Sequence, residues 1–218
     1  GVIEVYEYER PVFKGFKSKG GRNREAYEEG KEKNRQDTLR RARQEIRRII
    51  NANVGAYGPE FTAKFLTMTF ADNVTDLDYA NQEFKKFIKR LNYYVFGTKE
   101  ANLRYTVIVE FQKRGAIHYH VVLYNIPFIP VKEIGKIWGH GNVWINKIDD
   151  VDNVGAYVCK YLTKASNDDR LRGRKSYFNS KGLFKPVVIE DKEKAELIKK
   201  SLPETKKVVS VAYENDYT

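Results

Sequence analysis

Apolar residues recur along this chain with two different periods, and the order in which those periods alternate predicts the architecture. Over residues 35–52, Leu39, Ala42, Ile46, Ile49 and Ile50 fall at helical spacing, while Arg40, Arg41, Arg43, Arg47 and Arg48 take the remaining surface. This is a basic amphipathic helix. Gly55, Gly58 and Pro59 then break the chain ahead of Phe65-Leu66-Thr67-Met68-Thr69-Phe70, a β-rich run closed by Asp72-Asn73 and predicted to be a strand. Residues 78–95 place Phe84, Phe87, Ile88, Leu91 and Val95 on one helical face, opposite Lys85, Lys86, Lys89 and Arg90. Two strands are predicted at 103–112 and 116–125, then a helix at 131–138, a strand at 142–147 and a helix at 151–165. The order β-α-β-β-α-β with a further helix is that of an α+β fold of the split βαβ type, ferredoxin-like or RRM-like, with helices packed against the sheet.

Outside this block the pattern weakens. Residues 1–34 are polar and glycine-punctuated, with the basic run Lys14, Lys17, Lys19, Arg22 and Arg24. Beyond 165, residues 170–174 and 180–186 read as loops, 191–202 as a short helix and 208–213 as an added edge strand. The expected organisation is a basic segment and helix over 1–55, one main domain over 56–190, and an extension over 191–218 that packs on the same domain. A chain of 218 residues has room for one sizeable core.

Charge sharpens the picture. Forty Lys and Arg against 29 Asp and Glu leave a formal net charge of +11, which favours a polyanionic partner. The 15 Tyr and 12 Phe interleaved with these cations suit a groove that stacks unpaired bases and neutralises phosphates. The single cysteine, Cys159, excludes an internal disulfide framework and any cysteine-rich zinc site, so a reducing cytoplasm is the expected compartment. No apolar run is long enough to cross a membrane, and no secretory pattern opens the chain. The chain starts at Gly1 and its one methionine is Met68, so it reads as an excised or processed piece.

The segment from Glu110 to Val121 carries the most chemical information. Residues two apart on a strand point the same way, so His118 and His120 share a face. If the hairpin turns through Lys113-Arg114-Gly115, with Gly115 left-handed, residue 110 pairs with 118 and Glu110 stands opposite His118. Opposed and diagonal side chains at such a site are within reach of one divalent cation. Leaving three such groups without partners on an otherwise apolar face would be costly. The bland alternative is a pair of hydrogen-bonded core histidines with Glu110 bonded to one of them. His140, in Gly139-His140-Gly141, reads as a turn or cap residue and as a ligand only in place of Glu110. The ligand types alone leave zinc, manganese and magnesium open.

In the helix around Val154–Lys164, Tyr157, Tyr161 and Lys164 fall at i, i+4 and i+7 and share a face, with Lys160 beside them. Val154, Val158 and Leu162 form a separate apolar stripe, expected to dock on the sheet. A phenol is a weak nucleophile near neutrality, because its ordinary pKa is about 10. A neighbouring cation would favour the phenolate, and a metal on the phosphate oxygens would help its attack.

Taken in order, Phe65–Phe70, His118-Tyr119-His120, Tyr157–Lys164 and Ser180-Lys181-Gly182-Leu183 resemble the motifs of the HUH endonucleases, specifically the rolling-circle replication initiators of plasmids and single-stranded DNA phages. The resemblance covers about residues 61–188. It implies a central five-stranded antiparallel sheet and Mg2+ or Mn2+ held by Glu110, His118 and His120. It also implies tyrosine attack on a scissile phosphate of single-stranded DNA or an origin hairpin, giving a 5′-phosphotyrosine and a free 3′-hydroxyl. Tyr161, heading Tyr-x-x-Lys, matches the first nucleophile, and Tyr157 resembles the second tyrosine of two-tyrosine members. Their lysines are Lys164 and Lys160. Because the tyrosines follow the histidines, the initiator branch fits better than conjugative relaxases. Tyr119 departs from the usual aliphatic residue between the histidines. No G-x-x-x-x-G-K-[ST] phosphate loop is present, so unwinding is expected from a host helicase and synthesis from a host polymerase.

Three other readings compete. A non-catalytic single-stranded nucleic-acid-binding module would also use a βαββαβ sheet, charge and aromatics. A hydrolase that activates water would need only the carboxylate and the two imidazoles. A two-tyrosine transposase of the same superfamily would share the tyrosine helix.

Overall fold

The computed structural model describes residues 2–9, 28–146, 148, 151–166, 168–171, 173–203 and 211, leaving out the side chains of 28, 29 and 164–166. The elements in chain order are α1 (Glu28–Asn53), β1 (Lys64–Thr69), α2 (Leu77–Phe96), β2 (Tyr105–Phe111), β3 (Ile117–Leu123), α3 (Val131–Trp138), β4 (Val143–Asn146), α4 (Val154–Ser166), β5 (Tyr177–Asn179) and α5 (Lys192–Ser201). By internal contacts the chain divides into one unit of Gly1–Val2 and Asn34–Pro186, and a second of Ile3–Lys33 and Val187–Thr218.

The first unit is an α+β fold built on one five-stranded sheet in the order β4-β1-β3-β2-β5, with every neighbouring pair antiparallel. β3 lies between β1 and β2, so the β1-α2-β2 connection is split by a strand, as the alternation of periods predicts. α2 forms because its apolar residues face one way, Asp76 caps its first turn by accepting from the Asp78 and Tyr79 amides, and Gly97 ends it in the left-handed conformation. The hairpin between β2 and β3 turns through Lys113-Arg114-Gly115. Gln112 N–H donates to the Ala116 carbonyl at 2.8 Å, and Gly115 has φ +92°, a conformation in which a Cβ is strained.

Alternation gives the sheet two different faces. Leu66, Met68, Tyr119 and Val121 are buried on the side of α2 and α3, where Phe84 meets the Tyr119 ring at 4.6 Å and Phe87 meets Trp138 at 5.7 Å. Tyr119 therefore fills a core position, with its hydroxyl donating to Asn81. Phe65, Thr67, Thr69, Glu110, His118, His120 and Val122 point to the other side, towards α4. α4 in turn packs on α1 along Gly155, Cys159 and Thr163: the Cys159 thiol donates to the Arg43 carbonyl, Arg43 donates to Thr163, and a Cβ at Gly155 would collide with the Arg47 carbonyl oxygen. Burial pushes the Cys159 thiol up to about 11, so it is held as the thiol.

Several boundaries differ from the sequence expectation. α1 runs from Glu28 rather than 35. The fifth strand is β5, at 177–179, a stretch to which no element was assigned. Of the expected edge strand at 208–213 only Val211 is described, and it has no regular structure; the rest lies outside the described residues, as does the basic run from Lys14 to Arg24. The segment at Ser180 is tied to β2, with its hydroxyl accepting from Tyr105 N–H and its own amide donating to the Tyr105 carbonyl.

In the second unit, α5 is capped by Asp191, which accepts from the Lys194 amide, and Lys199 is ion-paired with Glu7.

Candidate active site

The β2–β3 register places Glu110 opposite His118, as the three-residue turn requires, and His120 opposite Ile108. Glu110, His118 and His120 are 5%, 8% and 3% exposed, so three polar groups share a nearly dry sheet face. Their arrangement is specific. His120 Nε2 and Glu110 Oε2 are 2.8 Å apart, and the His118 and His120 rings stand edge-on with centroids 6.5 Å apart.

β1 supports this pair from the other side. Thr67 lies opposite His120, with its Oγ1 3.2 Å from His120 Nδ1, and Asn146 of β4 donates to the same Thr67 oxygen at 3.1 Å. The imidazole is thus held at both nitrogens, which fixes the plane of its ring. Neither Thr67 nor Asn146 was a candidate from sequence, because their part depends on the pairing of β1 with β3 and β4. The only available signal was an alternating Thr67/Thr69 pair within an apolar strand.

α4 brings the tyrosines over this face. The Tyr161 ring lies 4.0 Å from the His120 ring, centroid to centroid, and 5.4 Å from Phe65; Tyr157 meets Phe65 edge-on at 5.8 Å and Tyr161 at 6.4 Å. Val154, Val158 and Leu162 are buried, as expected of the docking stripe, and both phenol rings pack on the sheet as well. Lys160 stays exposed, with its ammonium 5.4 Å from the Tyr157 ring centroid. The Lys164 side chain lies outside the described residues. Burial raises the Tyr161 phenol above its ordinary value, hydrogen bonding with Tyr157 and its charge add to this, and the Glu110 carboxylate pushes the same way. As it stands, this phenol holds its proton.

The carboxylate–imidazole set fits a divalent cation by chemistry: two imidazoles and one carboxylate, enclosed, on one face, with one imidazole oriented by an outer hydroxyl. The side chains are closed on one another rather than drawn around a centre. Among the described residues no group of three or more His, Cys, Asp or Glu stands ready to hold a metal. His140 does not join them. It sits on the α2–α3 side against Phe70 and Trp138, with its Nε2 2.9 Å from Glu83 Oε2.

Residues 63–166 match the family model for the replication-associated protein ORF2. That stretch is similar to the replication-associated proteins of the ORF2 family. It runs from the residue before β1 to the end of α4, and so contains both the Glu110/His118/His120 face and the tyrosine helix. Searches of curated proteins and of solved structures return no match. No described helix of this protein is long and apolar enough to cross a membrane.

Proposed function

We propose that this protein starts rolling-circle replication by nicking single-stranded DNA through Tyr161. The observation that carries the reading is the 4.0 Å approach of the Tyr161 ring to His120, itself hydrogen-bonded to Glu110, on a sheet face otherwise enclosed. A phenol beside an imidazole–carboxylate set suits transfer of a phosphodiester to tyrosine.

In the proposed reaction the Tyr161 oxygen bonds to the scissile phosphorus and the bond from phosphorus to the 3′-oxygen breaks. The phenolic proton ends on the leaving 3′-oxygen. One phosphodiester replaces another, so no energy source is consumed, and the 3′-hydroxyl is left to prime a host polymerase. Glu110, His118 and His120 are the residues that would hold Mg2+ or Mn2+. When bound, the cation supplies Lewis-acid withdrawal of charge from the non-bridging phosphate oxygens. Thr67 keeps the His120 ring in plane whichever nitrogen carries the proton, because a hydroxyl both donates and accepts. Tyr157, beside Tyr161 on the same helix, would make the second transfer that rejoins the strand, with Lys160 nearby to attract phosphate. Duplex unwinding would fall to a host helicase.

The test is incubation of the protein with single-stranded origin DNA and Mn2+ or Mg2+, followed by a denaturing gel. A protein-linked 5′ end that disappears with chelator and with Tyr161→Phe is expected. Cleavage that persists without either tyrosine and leaves no adduct would transfer the activity to a water-activating hydrolase.

A further inference from the structure

The face that carries the histidines continues across β1 to the edge strand β4, where it ends in an exposed tryptophan. Thr67 is registered with His120 on one side and with Trp144 on the other, and directly opposed residues of antiparallel strands point the same way. The hydrogen bond from Asn146 to Thr67 confirms this independently, because Asn146 and Trp144 are two residues apart on one strand. Trp144 therefore looks out from the same side as His120, two strand spacings away, roughly 10 Å. Its side of the face is open: Trp144 is half exposed, whereas the chain's other tryptophan, Trp138, is fully buried and donates to the Thr69 carbonyl.

We infer that Trp144 is a stacking platform for one unpaired nucleobase of the DNA strand, a few bonds along the backbone from the phosphate that Tyr161 attacks. Leaving an indole in water on a sheet edge forgoes the burial that Trp138 obtains, and edge strands usually carry charged or polar residues there. A nucleobase offers the flat apolar face that covers it without sequence preference. The distance suits this role. A base held about 10 Å from His120 orients the strand without entering the reacting centre. Trp144 is thus a binding residue of the single-strand reading above, on which this inference rests, and it takes no part in the bond changes.

The two tryptophans make the test direct. The intact chain is titrated with a mixed-sequence single strand of about 12 nucleotides while indole emission is followed. Quenching is expected, arising from Trp144 because Trp138 is enclosed, and it should be lost in Trp144→Phe. Trp144→Ala should raise Kd about 10-fold. It should also raise KM for adduct formation while leaving kcat at saturating DNA unchanged, with the melting temperature intact because the residue is exposed. A strand of the same length with abasic sugars throughout should bind the wild-type protein as weakly as the normal strand binds Trp144→Ala. Unchanged emission together with unchanged Kd in Trp144→Ala would overturn the platform and leave the nicking reading standing. Failure of the wild-type chain to bind or nick any single strand would overturn both.

Discussion

Two histidine–glutamate pairs lie on opposite sides of one sheet with nearly the same bond, 2.8 Å for His120–Glu110 and 2.9 Å for His140–Glu83, and everything around the bond differs. The His140–Glu83 side chains are 27% and 10% exposed, and Lys86 also donates to Glu83, at 2.6 Å. That pair joins α2 to the turn before β4, and its carboxylate charge is answered locally. His120–Glu110 is closed in at 4% and 6%, with His118 on the same face, Thr67 and Asn146 behind the ring, and the Tyr161 phenol above it. A histidine–carboxylate contact is therefore no mark of a site by itself. What separates the two is a second imidazole, an outer support and a phenol within reach.

The largest effect should come from the proposed nucleophile. Tyr161→Phe keeps the ring that packs on His120 and Phe65 and loses only the hydroxyl, so adduct formation should fall by at least about 10³-fold with little change in melting temperature. If the adduct survives in Tyr161→Phe and vanishes in Tyr157→Phe, the order of the two tyrosines is reversed. Next are the carboxylates. Glu110→Gln should cost more than about 100-fold in metal-supported nicking, beyond what loss of an outer-shell partner costs, while Glu83→Gln should stay within about twofold. Equal losses in the two variants, measured as initial adduct rates, would erase the distinction between the pairs.

The support for His120 predicts an intermediate effect. Thr67→Val keeps the shape of β1 and removes the oxygen at Nδ1, and should weaken Mn2+ affinity by about 10- to 100-fold, read by calorimetric titration. Wild-type affinity in that variant would show that the ring holds its plane without β1.

The smallest effect concerns the other pair. Lys86, with a further contribution from His140, holds the Glu83 carboxyl below its ordinary value of 4.5 despite partial desolvation. A carboxylate with a lowered folded pKa stabilises the fold above the unfolded value, and that stability is lost as pH falls through the folded value. Stability of the wild-type protein should therefore drop on acidification below about pH 4.5 by a component absent from Glu83→Gln, seen in urea melts across that range. Identical acid limbs would remove the assigned electrostatic role.

The sequence carried the fold where patterns were long. Gly115 set the hairpin register and with it the pairing of Glu110 with His118, a local consequence of turn length. The face shared by Tyr157 and Tyr161 followed from helical spacing. Which way that face points was not legible, because α4 has two apolar sides: the small residues Gly155, Cys159 and Thr163 accept α1, which turns both phenols onto the sheet. β5 has three residues, too few for an alternation to show. Thr67, Asn146 and Trp144 reach His120's neighbourhood only through strand order, and Glu83 meets His140 only through the packing of α2 on the sheet. Each depends on contacts between residues tens of positions apart, which no local period records.

In the proposed reaction Tyr161 is the group that takes the DNA strand. Digestion of the covalent complex followed by mass spectrometry of the nucleotide-bearing peptide measures this most directly. A 5′-phosphate linked to Tyr161 in α4 is expected; a nucleotide found on any other residue, or cleaved DNA with no modified peptide, would refute the assignment.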